Sequence, residues 1–80
     1  MSSENVYNRI AVLRAERGIS RRQLAEALGV HYQTIGYLER GEYSPSLHLA
    51  LRIAGFFEVA VEVLFSTTPF PRIGHESRPA

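Results

Sequence analysis

The alternation of apolar and polar positions along the chain predicts a series of short helices joined by turns. Val6, Ile10 and Leu13 are spaced four and three residues apart, which indicates one apolar stripe on a helix over residues 8–17. Gly18 follows this stripe and predicts the end of the helix, because glycine readily adopts the left-handed backbone that closes many helices.

The pattern is most specific in residues 20–41, which read SRRQLAEALGVHYQTIGYLERG. Ser20 followed three residues later by Gln23 is typical of a capping box, so a second helix is expected to begin there. Gly29 stands where that helix should end, and a third helical pattern follows and stops at Gly41. Helix, short glycine-containing turn and helix together form the helix-turn-helix unit, whose second helix can enter the major groove of DNA.

Two further helices are predicted after a turn-rich link at residues 42–46. Pro45 disfavours helix at the residue before it, and Ser46 is a good N-cap for a fourth helix. Residues 55–60 interrupt the apolar periodicity, and a short fifth helix is expected over residues 61–65.

Several short motifs agree with one family pattern in both order and spacing. They are Gln23-Leu24-Ala25, Leu28-Gly29-Val30, Thr34-Ile35, Leu38-Glu39-Arg40-Gly41 and Pro45-Ser46-Leu47. In these motifs the chain resembles the Cro/phage-repressor type of helix-turn-helix protein, also called the XRE family, and most closely its short single-domain repressors. The resemblance implies an all-α, five-helix lambda-repressor-like DNA-binding domain over residues 5–66, with the helix-turn-helix unit at residues 20–41.

The C-terminal segment is expected to be extended rather than helical. Residues 66–73 contain two prolines and two threonines, which disfavour helix. In the short repressors that the chain resembles, such a segment can pair with the N-terminal segment as a small two-stranded antiparallel sheet, for which Val6 and Tyr7 are the candidate strand here. Residues 74–80 are expected to be a flexible tail.

Composition narrows the choice of function without deciding it. Eighty residues allow one domain, and the lack of cysteine excludes disulfides and thiolate metal sites. No apolar run approaches the ~20 residues of a membrane span, so a soluble cytoplasmic protein, associated with the nucleoid through DNA, is expected. The formal net charge is only +1, but all nine basic residues are arginine. Arginine suits bidentate contacts to phosphate or guanine, although arginine without lysine is also typical of a GC-rich genome.

The outward positions of the third helix are the candidate base-reading residues. They are Tyr32, Gln33, Gly36 and Tyr37, and the resemblance implies the same positions. Gln33 can make two hydrogen bonds to adenine, a pairing that discriminates by about 1–3 kcal/mol. The two tyrosines can contact a thymine methyl group or a phosphate, or they can be ordinary exposed side chains.

The polar and cationic side chains around this helix are the candidate phosphate contacts. They are Arg21, Arg22, Thr34, Arg40 and Tyr43. Arg21 stands where the family often has glutamine, so a guanine edge is an alternative target for it. For Arg22 the alternative is a solvated charge.

The resemblance also implies a structural pair between the first and third helices. In this pair Arg14 and Glu39 support the recognition helix, and Arg14 can share a phosphate. Glu42 is acidic where the family commonly has a basic or polar residue, and it should weaken the local attraction to the DNA backbone.

A homodimer is predicted because one recognition helix covers only a few base pairs. Related proteins bind palindromic half-sites about one helical turn, ~34 Å, apart. The chain is unusually apolar near its C-terminal end, which predicts a two-fold contact through the fifth helix and the segment after it. The alternative is that these side chains close the core of the monomer. The residues are Val59, Val61, Val63, Leu64, Phe65 and Phe70.

Other classes of function find little support in the sequence. His31, His48 and His75 have no metal-ligand spacing, and no hydrolase elbow or phosphate loop is present. No enzyme activity, cofactor, metal or small-molecule ligand is therefore expected. The sequence predicts a sequence-specific transcriptional regulator that binds double-stranded DNA, a repressor rather than an activator. The alternative is an antitoxin or protein-bridging module whose main partner is another protein.

Overall fold

The computed structural model describes residues 6–71, which form five helices and a two-stranded antiparallel sheet. This is the five-helix lambda-repressor-like architecture that the resemblance implied. The elements in chain order are β1 (Tyr7–Asn8), α1 (Ile10–Glu16), α2 (Arg21–Leu28), α3 (Tyr32–Glu39), α4 (Leu47–Phe57), α5 (Val61–Leu64) and β2 (Phe65–Ser66).

The helix starts are set by serine caps where the sequence predicted them. Ser20 Oγ accepts a hydrogen bond from the Gln23 backbone N–H at 3.0 Å, and Gln23 Oε1 accepts one from the Ser20 N–H at 2.8 Å. This reciprocal pair is a complete capping box for α2. Ser46 Oγ likewise accepts from the Leu49 N–H at 3.0 Å and caps α4.

The ends of α1 to α4 share one arrangement. A residue with left-handed backbone closes each helix, and the next residue donates its N–H to the carbonyl five positions back at 2.9–3.1 Å. Three of these residues are the predicted Gly18, Gly29 and Gly41, with φ of 65°, 72° and 75°. The fourth is Glu58, with φ of 60°, where no glycine marks the end.

The predicted interruption of the fourth helix at residue 55 is wrong. α4 continues through Gly55 to Phe57, because Gly55 keeps helical geometry and the buried Phe57 extends the apolar face by another turn. The turn therefore lies at Glu58.

The sheet lies one residue from the predicted positions at both strands, and it shortens α1. β1 is one residue later than the expected Val6–Tyr7, and β2 begins one residue before the expected segment at residue 66. Tyr7 pairs with Ser66 and Asn8 pairs with Phe65. Asn8 is therefore a strand residue rather than the start of a helix. Its Oδ1 accepts from the Ile10 N–H at 3.0 Å, and its Nδ2 donates to the Leu38 carbonyl at 2.8 Å. The prolines of the expected extended segment follow the ladder, since proline has no N–H to donate, and residues 72–80 lie outside the described part of the chain.

All five helices contribute to one core. α2 and α3 pack closely against each other, with α1, α4 and α5 enclosing the remaining sides. This packing fixes the outer face of α3 relative to the start of α2. The largest fully buried side chains are Ile10, Leu24, Ile35, Leu38, Ile53, Phe57 and Leu64.

Candidate nucleic-acid interface

The recognition helix α3 buries one face and exposes the other. Ile35 and Leu38 are essentially inaccessible to solvent. Tyr32 and Tyr37 are 45% and 46% exposed, and Gln33 is exposed between them. The outer face thus carries one amide and two aromatic rings, which can meet base edges in a groove.

Gly36 does not present an open surface, in contrast to the sequence-based expectation. Gly36 is buried, because the guanidinium of Arg40 lies over it. A Cβ atom built at Gly36 would stand 3.2 Å from Arg40 Nη1. The surface at this position is therefore supplied by an arginine from one turn further along.

Glu39 joins three helices through two arginines. Arg14 of α1 donates from Nε to Glu39 Oε2 at 2.7 Å, and from Nη1 to the Ile19 carbonyl at 3.1 Å. Arg21 of α2 donates from Nε to Glu39 Oε1 at 2.9 Å. The side chain of Glu39 is only 4% exposed, so both carboxylate oxygens are satisfied within the protein. Such a set holds α3 in register with α1 and the start of α2.

The Arg21 partner was missed by the sequence analysis, which treated Arg21 as available for DNA alone. Eighteen residues separate Arg21 from Glu39, and no periodic pattern links them. They meet because the turn of the helix-turn-helix unit brings the start of α2 beside the end of α3.

The ionisation of this cluster follows from its contacts. Burial by itself raises the pKa of the Glu39 carboxyl, but the hydrogen bonds and positive charges of Arg14 and Arg21 outweigh it and lower the pKa below its ordinary value. The hydrogen bond to Glu39 and its negative charge raise the pKa of Arg21 further above its ordinary value. Glu39 is therefore a carboxylate between two guanidinium groups at neutral pH.

Each exposed tyrosine of α3 lies beside an arginine. The guanidinium carbon of Arg22 is 4.8 Å from the centre of the Tyr32 ring, and that of Arg40 is 5.4 Å from the centre of the Tyr37 ring. Arg40 also donates from Nε to Glu42 Oε2 at 3.1 Å. Glu42 therefore pairs with one of the candidate phosphate contacts.

The charged side chains around α3 carry a net charge of +2, from four arginines and two glutamates. These residues are Arg14, Arg21, Arg22, Arg40, Glu39 and Glu42.

Thr34 and Tyr43 are the remaining candidate phosphate contacts. They line a shallow depression together with Tyr37 and Glu42.

The predicted dimer residues divide into buried and exposed sets. Leu64 is 0% exposed inside the monomer core, so its assignment to a dimer interface is wrong. Three others are partly buried against that core: Val59, Val61 and Phe65.

The remaining two predicted residues, Val63 and Phe70, line one largely apolar groove. Val63 is 43% exposed, and Phe70 is half-buried with the Arg9 guanidinium 4.2 Å from its ring centre. Val12, also 43% exposed, lines the same groove and was missed because its helical stripe is not the core stripe of α1.

Within residues 6–71, no three histidine or acidic side chains converge in a way that could hold a metal ion. The helices of this same part of the chain are too short and too polar to cross a membrane. His75 lies outside the described residues.

Comparison with known proteins gives a consistent result. A family model described as helix-turn-helix matches residues 10–64. An uncharacterized HTH-type transcriptional regulator of Archaeoglobus fulgidus is 46% identical over 57 residues, which cover 71% of this chain and 81% of that protein. The uncharacterized HTH-type transcriptional regulator YgzD of Bacillus subtilis is 43% identical over 58 residues, covering 72% and 88%.

A solved structure agrees with the sequence relatives. The crystal structure of a candidate DNA-binding protein from Bacteroides fragilis superposes with a TM-score of 0.70 at 31% identity, covering 76% of this chain and 98% of that one. The matched residues include the capped α2, its glycine turn and all of α3. The chain therefore belongs to the XRE-type helix-turn-helix family, which has members in both archaea and bacteria.

Proposed function

We propose that this protein is a sequence-specific DNA-binding transcription regulator, and specifically a repressor. The observation that carries the proposal is the outer face of α3, on which Gln33 lies exposed among tyrosines and arginines while Glu39 ties the helix to its neighbours. The relatives named as HTH-type transcriptional regulators support the same class of function.

In this proposal α3 enters the major groove and the side chains divide by role. Gln33 reads an adenine edge, and Tyr32 and Tyr37 contact thymine methyl groups or phosphates. Phosphates meet the start of α2, where Arg14, Arg21 and Arg22 line a depression next to Tyr32. Thr34 and Tyr43 contact the DNA backbone on the opposite side of α3.

The proposed assembly is a two-fold homodimer on a palindromic operator. A single α3 of eight residues covers only a few base pairs, so two copies are needed to specify a site. The groove lined by Val12, Val63 and Phe70 supplies the apolar surface for that contact. Repression then follows from occupying DNA that RNA polymerase must reach.

The deciding experiment is selection of random duplex DNA by the purified protein, followed by salt-titrated binding to the selected site. A palindromic site is expected. Gln33→Ala should lose discrimination at one base pair, and Arg22→Ala should weaken binding to all sequences and reduce the salt slope by about 1. Arg52→Ala is the matched control, because Arg52 is exposed on α4 and contributes to none of the contacts described above. A folded protein that enriches no sequence would refute the proposal.

A second candidate function is binding of another protein, as in an antitoxin or bridging module. The observation that favours it is on α4, where Leu47 is 73% and Leu51 is 51% exposed, one turn apart. Substituting Leu51 with lysine should then abolish capture of the partner. The same change should leave DNA binding intact if α3 is the functional surface.

A further inference from the structure

Gly36 is unusual because the backbone does not require glycine at this position. It lies in the middle of α3, where glycine costs about 1 kcal/mol relative to alanine. It is not among the described glycines with positive φ, which are Gly18, Gly29 and Gly41. The presence of glycine at position 36 is therefore explained by the atoms that a side chain there would contact.

A side chain at Gly36 would crowd one group, the guanidinium of Arg40. A Cβ atom would stand 3.2 Å from Arg40 Nη1, 3.8 Å from Nη2 and 3.9 Å from Cζ. Side chains on a helix lean toward its N-terminus, so Arg40 extends back over the residue one turn earlier. Gly36 thus gives the guanidinium room to lie against the surface of α3.

The Arg40 guanidinium is held by two further contacts that leave one edge of it available. Its Nε donates to Glu42 Oε2 at 3.1 Å, and its carbon is 5.4 Å from the centre of the Tyr37 ring. Within residues 6–71, neither terminal nitrogen of Arg40 donates a hydrogen bond. These two nitrogens form the edge that matches O6 and N7 of guanine in the major groove.

The neighbours of this edge are the base-reading residues themselves. The guanidinium lines a hollow of about 150 Å³ on the outer face of α3, next to Gln33. Arg21 lines the same hollow, and its Nε, like that of Arg40, donates a hydrogen bond to a glutamate. The hollow is lined by Arg21, Tyr32, Gln33, Gly36, Tyr37 and Arg40.

We propose that Arg40 reads a guanine in the same half-site as the base read by Gln33, and that Gly36 is the positioning residue that allows it to do so. This inference rests on the proposed function, since it requires α3 in the major groove. It reassigns Arg40 from the phosphate contact predicted by its place at the end of α3 to a contact with a base edge.

The first test replaces guanines of the selected operator one at a time with 7-deazaguanine, which lacks the N7 acceptor. For the unmodified protein, one position per half-site should lose affinity by about 5-fold or more. Arg40→Gln should lose affinity for the natural site and become insensitive to the replacement at that position. If the effects of Arg40→Gln and of the 7-deazaguanine replacement on affinity are not additive, Arg40 contacts that guanine.

The second test separates the positioning role of Gly36 from its effect on folding. Gly36→Ala should raise the melting temperature through helix propensity, yet weaken the preference for guanine because the methyl group pushes the guanidinium away from the surface of α3. Gly55→Ala is the matched control, since a Cβ at Gly55 of α4 meets no atom within 4 Å among the described residues. It should also raise the melting temperature and leave binding unchanged.

The outcomes that overturn the inference are distinct from failure of the proposed function. If Arg40→Gln weakens binding to all DNA sequences equally and reduces the salt slope by about 1, Arg40 is a phosphate contact. In that case the inference is wrong and the proposed function stands. If replacement of guanine by 7-deazaguanine changes the affinity at no position, or if Gly36→Ala keeps the full preference for guanine, the inference fails. The proposed function is unaffected by either result. If the folded protein selects no DNA at all, both fail.

Discussion

At the scale of single residues, the most consequential side chain is Glu39. Its two oxygens are used by guanidinium groups from different helices, Arg14 on α1 and Arg21 on α2. A nearly buried carboxylate with two such partners gives directional hydrogen bonds, and removing it leaves charged donors without acceptors. Glu39 therefore adds directional hydrogen bonds to the apolar packing that orients the recognition helix.

Glu39→Gln should lower the free energy of unfolding by about 1–3 kcal/mol, because the amide accepts through one oxygen only and directs an NH2 group at an arginine. Urea denaturation at pH 7 measures the change. Glu42→Gln is the matched control, since Glu42 also pairs with an arginine but is 55% exposed. Its loss should cost under about 0.5 kcal/mol. Equal effects of the two substitutions would contradict the buried role of Glu39.

The stabilisation from Glu39 should disappear in acid. The folded state lowers the pKa of its carboxyl, so the contribution is complete above the ordinary pKa of about 4.3 and is lost as pH falls through the lower folded value. The difference in unfolding free energy between the wild-type protein and Glu39→Gln should therefore shrink below about pH 4. Urea titrations at a series of pH values test this. A difference that stays constant down to pH 2 would show that charge is not the source.

Sequence reasoning worked for residues whose role depends on spacing and failed where it depends on contacts. The exposure of Tyr32 and Gln33 follows from their positions relative to the apolar stripe of α3. The burial of Gly36 could not be foreseen, because it depends on the path of a long arginine side chain. The attachment of Arg21 to Glu39 required the packing angle of two helices.

At the scale of the elements, helix ends show the same division. Glycine carries a local signal for left-handed backbone, so the ends of α1, α2 and α3 were predictable. The end of α4 was not, because Glu58 adopts that conformation without any such preference. The register of the sheet was also out of reach, since two-residue strands have no periodicity to detect.

Glu58→Gly should stabilise the protein by about 0.5–1 kcal/mol, because it removes the steric cost of left-handed backbone at a residue with a Cβ atom. Thermal unfolding measures the rise in melting temperature. Gly29→Ala is the reciprocal change at the equivalent position of α2 and should lower it. A fall in melting temperature for Glu58→Gly would show that contacts of the Glu58 side chain outweigh the backbone strain.

At the scale of the whole molecule, the core and the proposed dimer contact compete for the same apolar C-terminal segment. The monomer core takes Leu64 completely, which composition alone could not reveal. What remains is the groove containing Val12, Val63 and Phe70. Arg9 and Glu16 line the same groove with opposite charges. A two-fold contact through this groove would bring both charges of each copy to the interface.

Val63→Lys should convert a dimer to a monomer. Both copies carry the new lysine, so a two-fold interface would have to bury two unpaired positive charges. Sedimentation equilibrium measures the shift, and affinity for the palindromic site should fall because the two half-sites are then bound independently. Leu51→Lys is the matched control, since Leu51 is 51% exposed on α4 outside the groove. It should leave the assembly unchanged. A wild-type protein that stays monomeric at micromolar concentration with and without DNA would refute the dimer, and loss of the dimer in Leu51→Lys alone would move the interface to α4.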